Sequence, residues 1–262
     1  MEHYMTDERI ADYLKALENE ERAAATIEKY RRVLMSFAAF LCGTAVTQEM
    51  IRLWKDDLRE KNYAPSTINT YLAALNGFFR FNGWLDCRAR FLKIQRRLFR
   101  DSKQELTRVE YERLVAAAEA AGDRRLALLM ETICSTGIRV SEVQYITVEA
   151  AKNGKTEIAL KGKIRTILLP AKLCRKLLKF AARQKTASGA IFRAKSGKAM
   201  SRYQIWSKMK KLCVRAGVDA GKVFPHNLRH LFATAFYRAY KDIVKLADVL
   251  GHSSIETTRI YL

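Results

Sequence analysis

Four side chains near the end of the chain, His226, Arg229, His252 and Tyr261, are of types that together can act on a phosphodiester. His226 and Arg229 are three apart, so they share one face of a helix. Pro225, just before them, suits a helix's first turn, and the first-turn N–H groups and the helix dipole draw anions to that end. A guanidinium fork matches two phosphate oxygens and stabilises charge growing on them. Imidazoles donate to a phosphate or carry a phenol's proton. A phenol of pKa about 10 is a poor nucleophile at neutral pH; it becomes useful when the group it attacks is strongly polarised and the leaving oxygen is protonated. A second fork and an acid for that oxygen are still missing and must come from upstream.

Several elements would have to position these groups. Leu228, Leu231, Phe232, Ala235 and Phe236 mark the core-facing side of the helix that starts at Pro225. Ile243, Leu246, Ala247 and Leu250 mark another helix, with Gly251 as its stop, so His252 falls in a tight turn. Ser253 and Glu256 have capping-box spacing, which starts a further helix with Tyr261 about two turns into it. Upstream, the apolar stretch 126–134 reads as a buried helix ended by Gly137. Arg139 follows, and an arginine there is costly unless it holds an anion; Glu142, one turn on, is a partner to orient it, although taken alone the pair reads rather as a plain surface ion pair. Stretches 156–160 and 165–169 alternate as a β-hairpin, which puts Lys161 at the turn, with Lys163 as its competitor.

The chain has 262 residues, enough for two domains, 49% of them hydrophobic, and a formal net charge of +21. Residues 1–100 carry 17 basic and 13 acidic side chains (net +4), and residues 101–262 carry 31 and 14 (net +17). Between Ile158 and Val218 there are 17 Lys or Arg and no Asp or Glu. Solubility is served by mixed signs, so this one-sided run points to a polyanionic partner, nucleic acid first. No run of about 20 apolar residues predicts a membrane span. Five scattered cysteines without a CxxC pair predict a reducing, intracellular setting.

Four short amphipathic helices are predicted in the first 80 or so residues, opening at Thr6, near Ala25, at Thr47 and at Pro65. Arg52, Lys55 and Arg80, with Ser66, Thr67 and Asn69, are candidate phosphate contacts on the third and fourth. Residues 88–100 hold six basic side chains, Arg96 and Arg97 among them, and Phe91, Leu92, Ile94 and Leu98 give them a helical look. The polar stretch 100–106 is the candidate linker, and Thr107 with Glu110 forms a capping box that opens the next domain. The division expected is 1–99, linker 100–106, then 107–262. Later helices have strongly basic faces, with Arg202 and Lys208 as further candidate DNA contacts. His226 and His230 are four apart, as in a zinc site, but Asn227 stands where HExxH needs Glu, so no metal is expected.

In order, the set is Arg139, Lys161, His226, Arg229, His252, Tyr261. Here the sequence resembles the tyrosine recombinases, the phage-type integrases that include XerC- and XerD-like enzymes. The matching words are TGIRVSEV (136–143), KGKIRTILLP (161–170), PHNLRHLFAT (225–234) and LGHSSIETTRIY (250–261). The resemblance implies a mainly α fold with a small β-sheet (α+β), an N-terminal four-helix SAM-like core-binding domain and a C-terminal catalytic domain. It implies that Arg139 and Arg229 clamp the scissile phosphate, Lys161 protonates the leaving 5′ oxygen, and His226 is the general acid/base. His252 would hydrogen-bond the phosphate, Glu142 would support the site, and Tyr261 would become a 3′-phosphotyrosine, with no cofactor, metal or ATP. The implied partners are double-stranded DNA with a recombination site, three further copies in a synaptic homotetramer, and DNA-bending accessory proteins, in the cytoplasmic nucleoid and away from membranes. Related enzymes carry a further C-terminal segment that docks on a neighbouring subunit, whereas this sequence stops at Leu262; a monomer or weak oligomer is expected without DNA. The alternatives are a type IB topoisomerase-like nicking-closing enzyme and a non-catalytic DNA-binding protein with Tyr261 as a core aromatic.

Overall fold

The computed structural model describes residues 2–94, 104–160, 163–194, 196–252 and 254–261; at Ala159, Leu160, Lys163 and Tyr261 it describes the backbone alone. The chain forms two compact units, Met1–Arg96 and Arg97–Leu262. Among the described residues it is mainly helical with a single two-stranded sheet, the fold class expected.

The first unit holds α1 (Asp7–Asn19), α2 (Ala24–Leu41), α3 (Gln48–Glu60) and α4 (Pro65–Phe81). Thr6 and Thr47 are N-caps whose hydroxyls accept from Arg9 N and Met50 N. Phe37, Trp54, Ile68, Leu72, Phe78 and Phe79 form the centre of its core, each large apolar side chain worth roughly 1.5–3 kcal/mol of burial. Gly77 lets α1 and α4 approach, since a Cβ there would collide with the Tyr13 hydroxyl.

Residues 88–94 depart from the expected helix: they run without helical structure along α4. Asn76 donates to Ala89 O (2.9 Å) and accepts from Ala89 N (2.8 Å). Asn69 treats Leu92 the same way, at 2.9 and 2.8 Å. Two helical turns advance about 10 Å, and so do three extended residues, so two amides on one helix face pair with an extended chain at matching intervals. That pairing satisfies backbone groups that a helix would have satisfied internally. The remainder of the expected helix, with Arg96 and Arg97, lies outside the described residues.

The second unit holds α5 (Arg108–Ala120), α6 (Arg124–Thr136), a 3-10 segment (Val140–Tyr145), α7 (Val148–Asn153), β1 (Lys155–Leu160), β2 (Lys163–Leu168), α8 (Ala171–Arg183) and α9 (Arg202–Ala216). It continues with α10 (Pro225–Tyr240), α11 (Ile243–Leu250), α12 (Ile255–Thr258) and a 3-10 turn, Arg259–Tyr261. Thr107 and Glu110 make the reciprocal capping box at the start of α5. The apolar helix α6, with Leu129, Met130 and Ile133 fully buried, is central to this core. The strands are antiparallel, with Ile158 opposite Arg165 and Thr156 opposite Ile167. Ile158 and Ile167 are buried while Ile164 and Leu168 are exposed, so Arg165 lies on the inward face of the hairpin.

The end of the chain differs from expectation in two respects: the cap of α12 is Ser254, one residue after the expected Ser253, and the helix is shorter than expected. Ser254 caps α12, its hydroxyl accepting from Glu256 N at 3.2 Å, and α12 lasts one turn before tightening to 3-10 geometry. Tyr261 therefore sits in a 3-10 turn; Ser253 lies outside the described residues.

Candidate active site

The site is built on the last turn of α11. Carbonyls there have no intrahelical partner and carry the negative end of the helix dipole. Val249 O accepts from Arg165 Nη2 at 2.7 Å, Leu250 O from Arg229 Nη2 at 2.8 Å, and Gly251 O from Arg139 Nη2 at 3.2 Å. Three guanidiniums, from β2, α10 and the segment after α6, converge on three consecutive carbonyls. Gly251 is required twice over: its φ is +64°, and a Cβ would collide with the Arg165 side chain.

One buried carboxylate sits among them. Glu142 is 2% exposed; its carboxylate accepts from Arg139 N (2.8 Å), Arg139 Nη1 (2.9 Å) and Arg165 Nη1 (3.0 and 3.2 Å). A buried carboxylate survives by such pairing. Burial pulls the Arg165 guanidinium below its ordinary range, and Glu142 opposes that shift. Arg165, Arg139 and Arg229 against a single carboxylate leave an excess of positive charge, which suits a bound anion.

Arg229 is itself 2% exposed, donating Nη1 to Gly137 O and Nη2 to His252 Nε2 at 2.9 Å as well as to Leu250 O. His226 is exposed. The two residues share a helix side, as their spacing predicts, but at different depths: α10 buries Asn227, Leu228, Arg229 and His230 together, while Ala235, expected in the core, is exposed. The guanidinium is tolerated in the interior because carbonyls from two other segments receive it.

His252 occupies the turn after α11, as expected. A guanidinium can only donate, so Nε2 accepts from Arg229, and the proton of the neutral ring lies on Nδ1, donated to Thr258 Oγ1 at 2.8 Å. Burial, then the charges of Arg229, Arg139, Arg165 and His226, pull the imidazole down to about 4. His252 is thus neutral at pH 7.

Arg139, Arg202, Tyr203, Trp206, His226 and Arg229 line one cleft of about 790 Å³. It brings together two guanidiniums, an exposed imidazole and, from the DNA-contact candidates, Arg202. Lys161 lies outside the described residues, as do the side chains of Lys163 and Tyr261. Lys208, on the same helix as Arg202, pairs with Asp123 instead of lining the cleft. In the first unit Arg52 and Lys55 border one depression with Arg90, and Arg80 borders another. Ser66 and Arg80 are exposed and Thr67 half-buried. Asn69, half-buried, holds the extended chain: its amide donates one hydrogen to Leu92 O and accepts from Leu92 N, which leaves its second N–H for another acceptor. Among the described residues, the group of potential metal ligands close enough to share an ion is His3, Asp86 and Cys87, and it includes neither His226 nor His230.

Three features escaped the sequence reading. Arg165 was legible only as a charged residue in phase with Ile167 and Leu169 on the hairpin's inner face. Thr258 carried no signal beyond its type. Tyr203 and Trp206, ring centroids 5.9 Å apart, sit at the start of α9 without a motif to mark them.

The phage integrase family pattern matches residues 104–262, and that of the phage integrase N-terminal SAM-like domain matches residues 10–84. Tyrosine recombinase XerA of Pyrococcus furiosus is 30% identical, covering 99% of this chain and 91% of the relative. Tyrosine recombinase XerD of Brucella suis is also 30% identical, over 96% of this chain and 91% of its own length. Among solved structures, a lambda integrase dimer bound to a COC' core site superposes with TM-score 0.79 at 17% identity, covering 99% of this chain and 77% of that one. XerH site-specific recombinase bound to difH gives 0.72 at 20% identity, covering 98% and 82%; these two likenesses show a shared fold. With a family pattern over more than half its residues and relatives matched along nearly their whole length, the chain belongs to the phage integrase family, the tyrosine recombinases.

Proposed function

We propose that the protein is a site-specific DNA recombinase that cuts and rejoins strands through a 3′-phosphotyrosine at Tyr261. The observation that carries this reading is the cleft itself, which Arg139, Arg229 and His226 line together while the buried Glu142 carboxylate holds Arg139. The Tyr261 oxygen attacks phosphorus, its proton passing to His226; the P–O5′ bond breaks and the 5′ oxygen takes a proton from Lys161, with Lys163 as the alternative donor. Arg139 and Arg229 hold the non-bridging oxygens as charge grows on them, and His252 hydrogen-bonds the phosphate. Glu142 orients Arg139. Attack of a 5′ hydroxyl reverses every step, so the phosphodiester energy is kept and no ATP or cofactor enters.

The substrate is double-stranded DNA bearing a recombination site. Arg52, Lys55, Ser66, Thr67, Asn69, Arg80, Arg96, Arg97, Lys163, Arg202 and Lys208 are the proposed DNA contacts. A DNA-binding region, 1–99, and a catalytic region, 107–262, joined by 100–106, act on one site. Four copies assemble on DNA for exchange, aided by bending proteins, in the cytoplasmic nucleoid. Among the described residues no helix is long and apolar enough to cross a membrane.

The test is a suicide duplex nicked beside a candidate crossover, incubated in EDTA. Wild type should give a covalent adduct that mass spectrometry maps to Tyr261, and Tyr261→Phe should bind the duplex yet give none. An adduct that persists in Tyr261→Phe would move the nucleophile elsewhere.

A further inference from the structure

Resting on that reading, we propose that Arg165 is a positioning residue for the phosphate clamp, a role its place in a β-strand does not announce. Its side chain is 10% exposed on the inner face of β2. One nitrogen, Nη1, binds both oxygens of Glu142 at 3.0 and 3.2 Å; the other, Nη2, binds Val249 O at 2.7 Å. Glu142 in turn holds Arg139 through its backbone N and Nη1. Val249 O is the first of the three consecutive carbonyls whose other two hold Arg229 and Arg139. Arg165 therefore touches both supports of the clamp: the carboxylate that aims one guanidinium and the helix end that receives all three.

The fork matters as much as the charge. The two partners lie in different segments, and only a planar guanidinium presents two donors in fixed directions toward both. A lysine would keep the charge beside Glu142 but not the bridge. The buried Arg165 Nε makes no hydrogen bond, so the residue is held at a desolvation cost. The Cβ-less Gly251 that clears space for its side chain indicates that the surrounding backbone is shaped around it. Among the described residues, the path from Arg165 to the reacting atoms runs through Glu142, Arg139 and the end of α11.

The test uses Arg165→Lys and Arg165→Gln in the full chain, with three measurements: melting temperature, duplex binding, and single-turnover adduct formation at saturating protein. Each is run on the normal suicide duplex and on one with a methylphosphonate at the scissile position, where the missing negative charge makes the guanidinium clamp less necessary. Wild type forming its Tyr261 adduct on the normal duplex is the control; its failure would sink the recombinase reading, not the role of Arg165. We expect both variants to bind within about twofold of wild type and to form adduct up to about 100-fold more slowly, the scale of loss when a reacting group is displaced by about 1 Å. On methylphosphonate that deficit should shrink to a few-fold. Arg165→Lys, which keeps the buried charge balanced, serves as the folded variant if Arg165→Gln melts early. A wild-type rate in Arg165→Lys would overturn the proposal, as would an equal deficit on both substrates.

Discussion

At the scale of single residues the site is a set of hydrogen bonds with fixed direction. Arg229 can only donate, which fixes the neutral His252 tautomer and makes Thr258 the acceptor for Nδ1–H. A hydroxyl can also donate, so the same threonine can support the opposite tautomer when Nε2–H is needed by a phosphate. Thr258→Val should slow single-turnover adduct formation about tenfold with duplex binding little changed, and Thr258→Ser should restore it. A valine variant at the wild-type rate would remove Thr258 from the account. The depressed His252 pKa also has a sign. The folded ring resists protonation until about 4, against an ordinary 6.5, so the unfolded chain binds more protons between those values. Stability from this group is full above pH 7 and is lost as pH falls from 6.5 toward 4; melting temperature measured against pH should show that decline, reduced in His252→Asn. Arg139→Ala should lose far more cleavage rate than DNA affinity, since a transition-state clamp acts on rate; kinetic and binding titrations side by side would show it.

Among the elements, those with a local cause could be read in advance. Thr47, the Thr107–Glu110 box, Pro65 and the apolar period of α4 each act within a few residues, and they give the expected helix starts. The stretch after Arg88 could not be read that way. Phe91, Leu92 and Ile94 fit a helix, but Asn76 and Asn69, 13 and 23 residues away from their partners, capture the backbone first. Arg165 was missed for the same reason, its partners lying 23 and 84 positions away. Arg229 stood out by its type and its spacing from His226, and Arg139 by its place after Gly137 within the ordered set; the depth of Arg229 was not legible, because the Gly137 carbonyl that receives it comes from another helix's end. Two glycines separate backbone strain from close contact. Gly154→Ala, at φ +68° with open space around it, should cost roughly 1–2 kcal/mol in urea unfolding. Gly251→Ala, at φ +64° against Arg165, should cost more and also slow adduct formation; equal costs with unaltered chemistry would mean that Arg165 yields freely.

For the molecule as a whole, charge is the dominant fact. The net +17 of residues 101–262, against +4 for 1–100, places most of the attraction for a polyanion on the catalytic region. Affinity for duplex DNA should fall about 10³-fold or more between 50 and 200 mM salt if six or more phosphates are contacted, and a fluorescence titration across that range would measure it. A flat response would refute the polyanion reading.

The three carbonyls at the end of α11 belong to the main chain, and this sets what heredity can alter there. No substitution at Val249 or Leu250 deletes an acceptor. Removing or adding one residue within α11, by contrast, turns its last turn by about 100° and carries all three oxygens away from Arg139, Arg165 and Arg229 together. A library of variants across 243–251 should accept many changes of letter and almost none of length, a reading-frame-like constraint imposed by a helix only eight residues long.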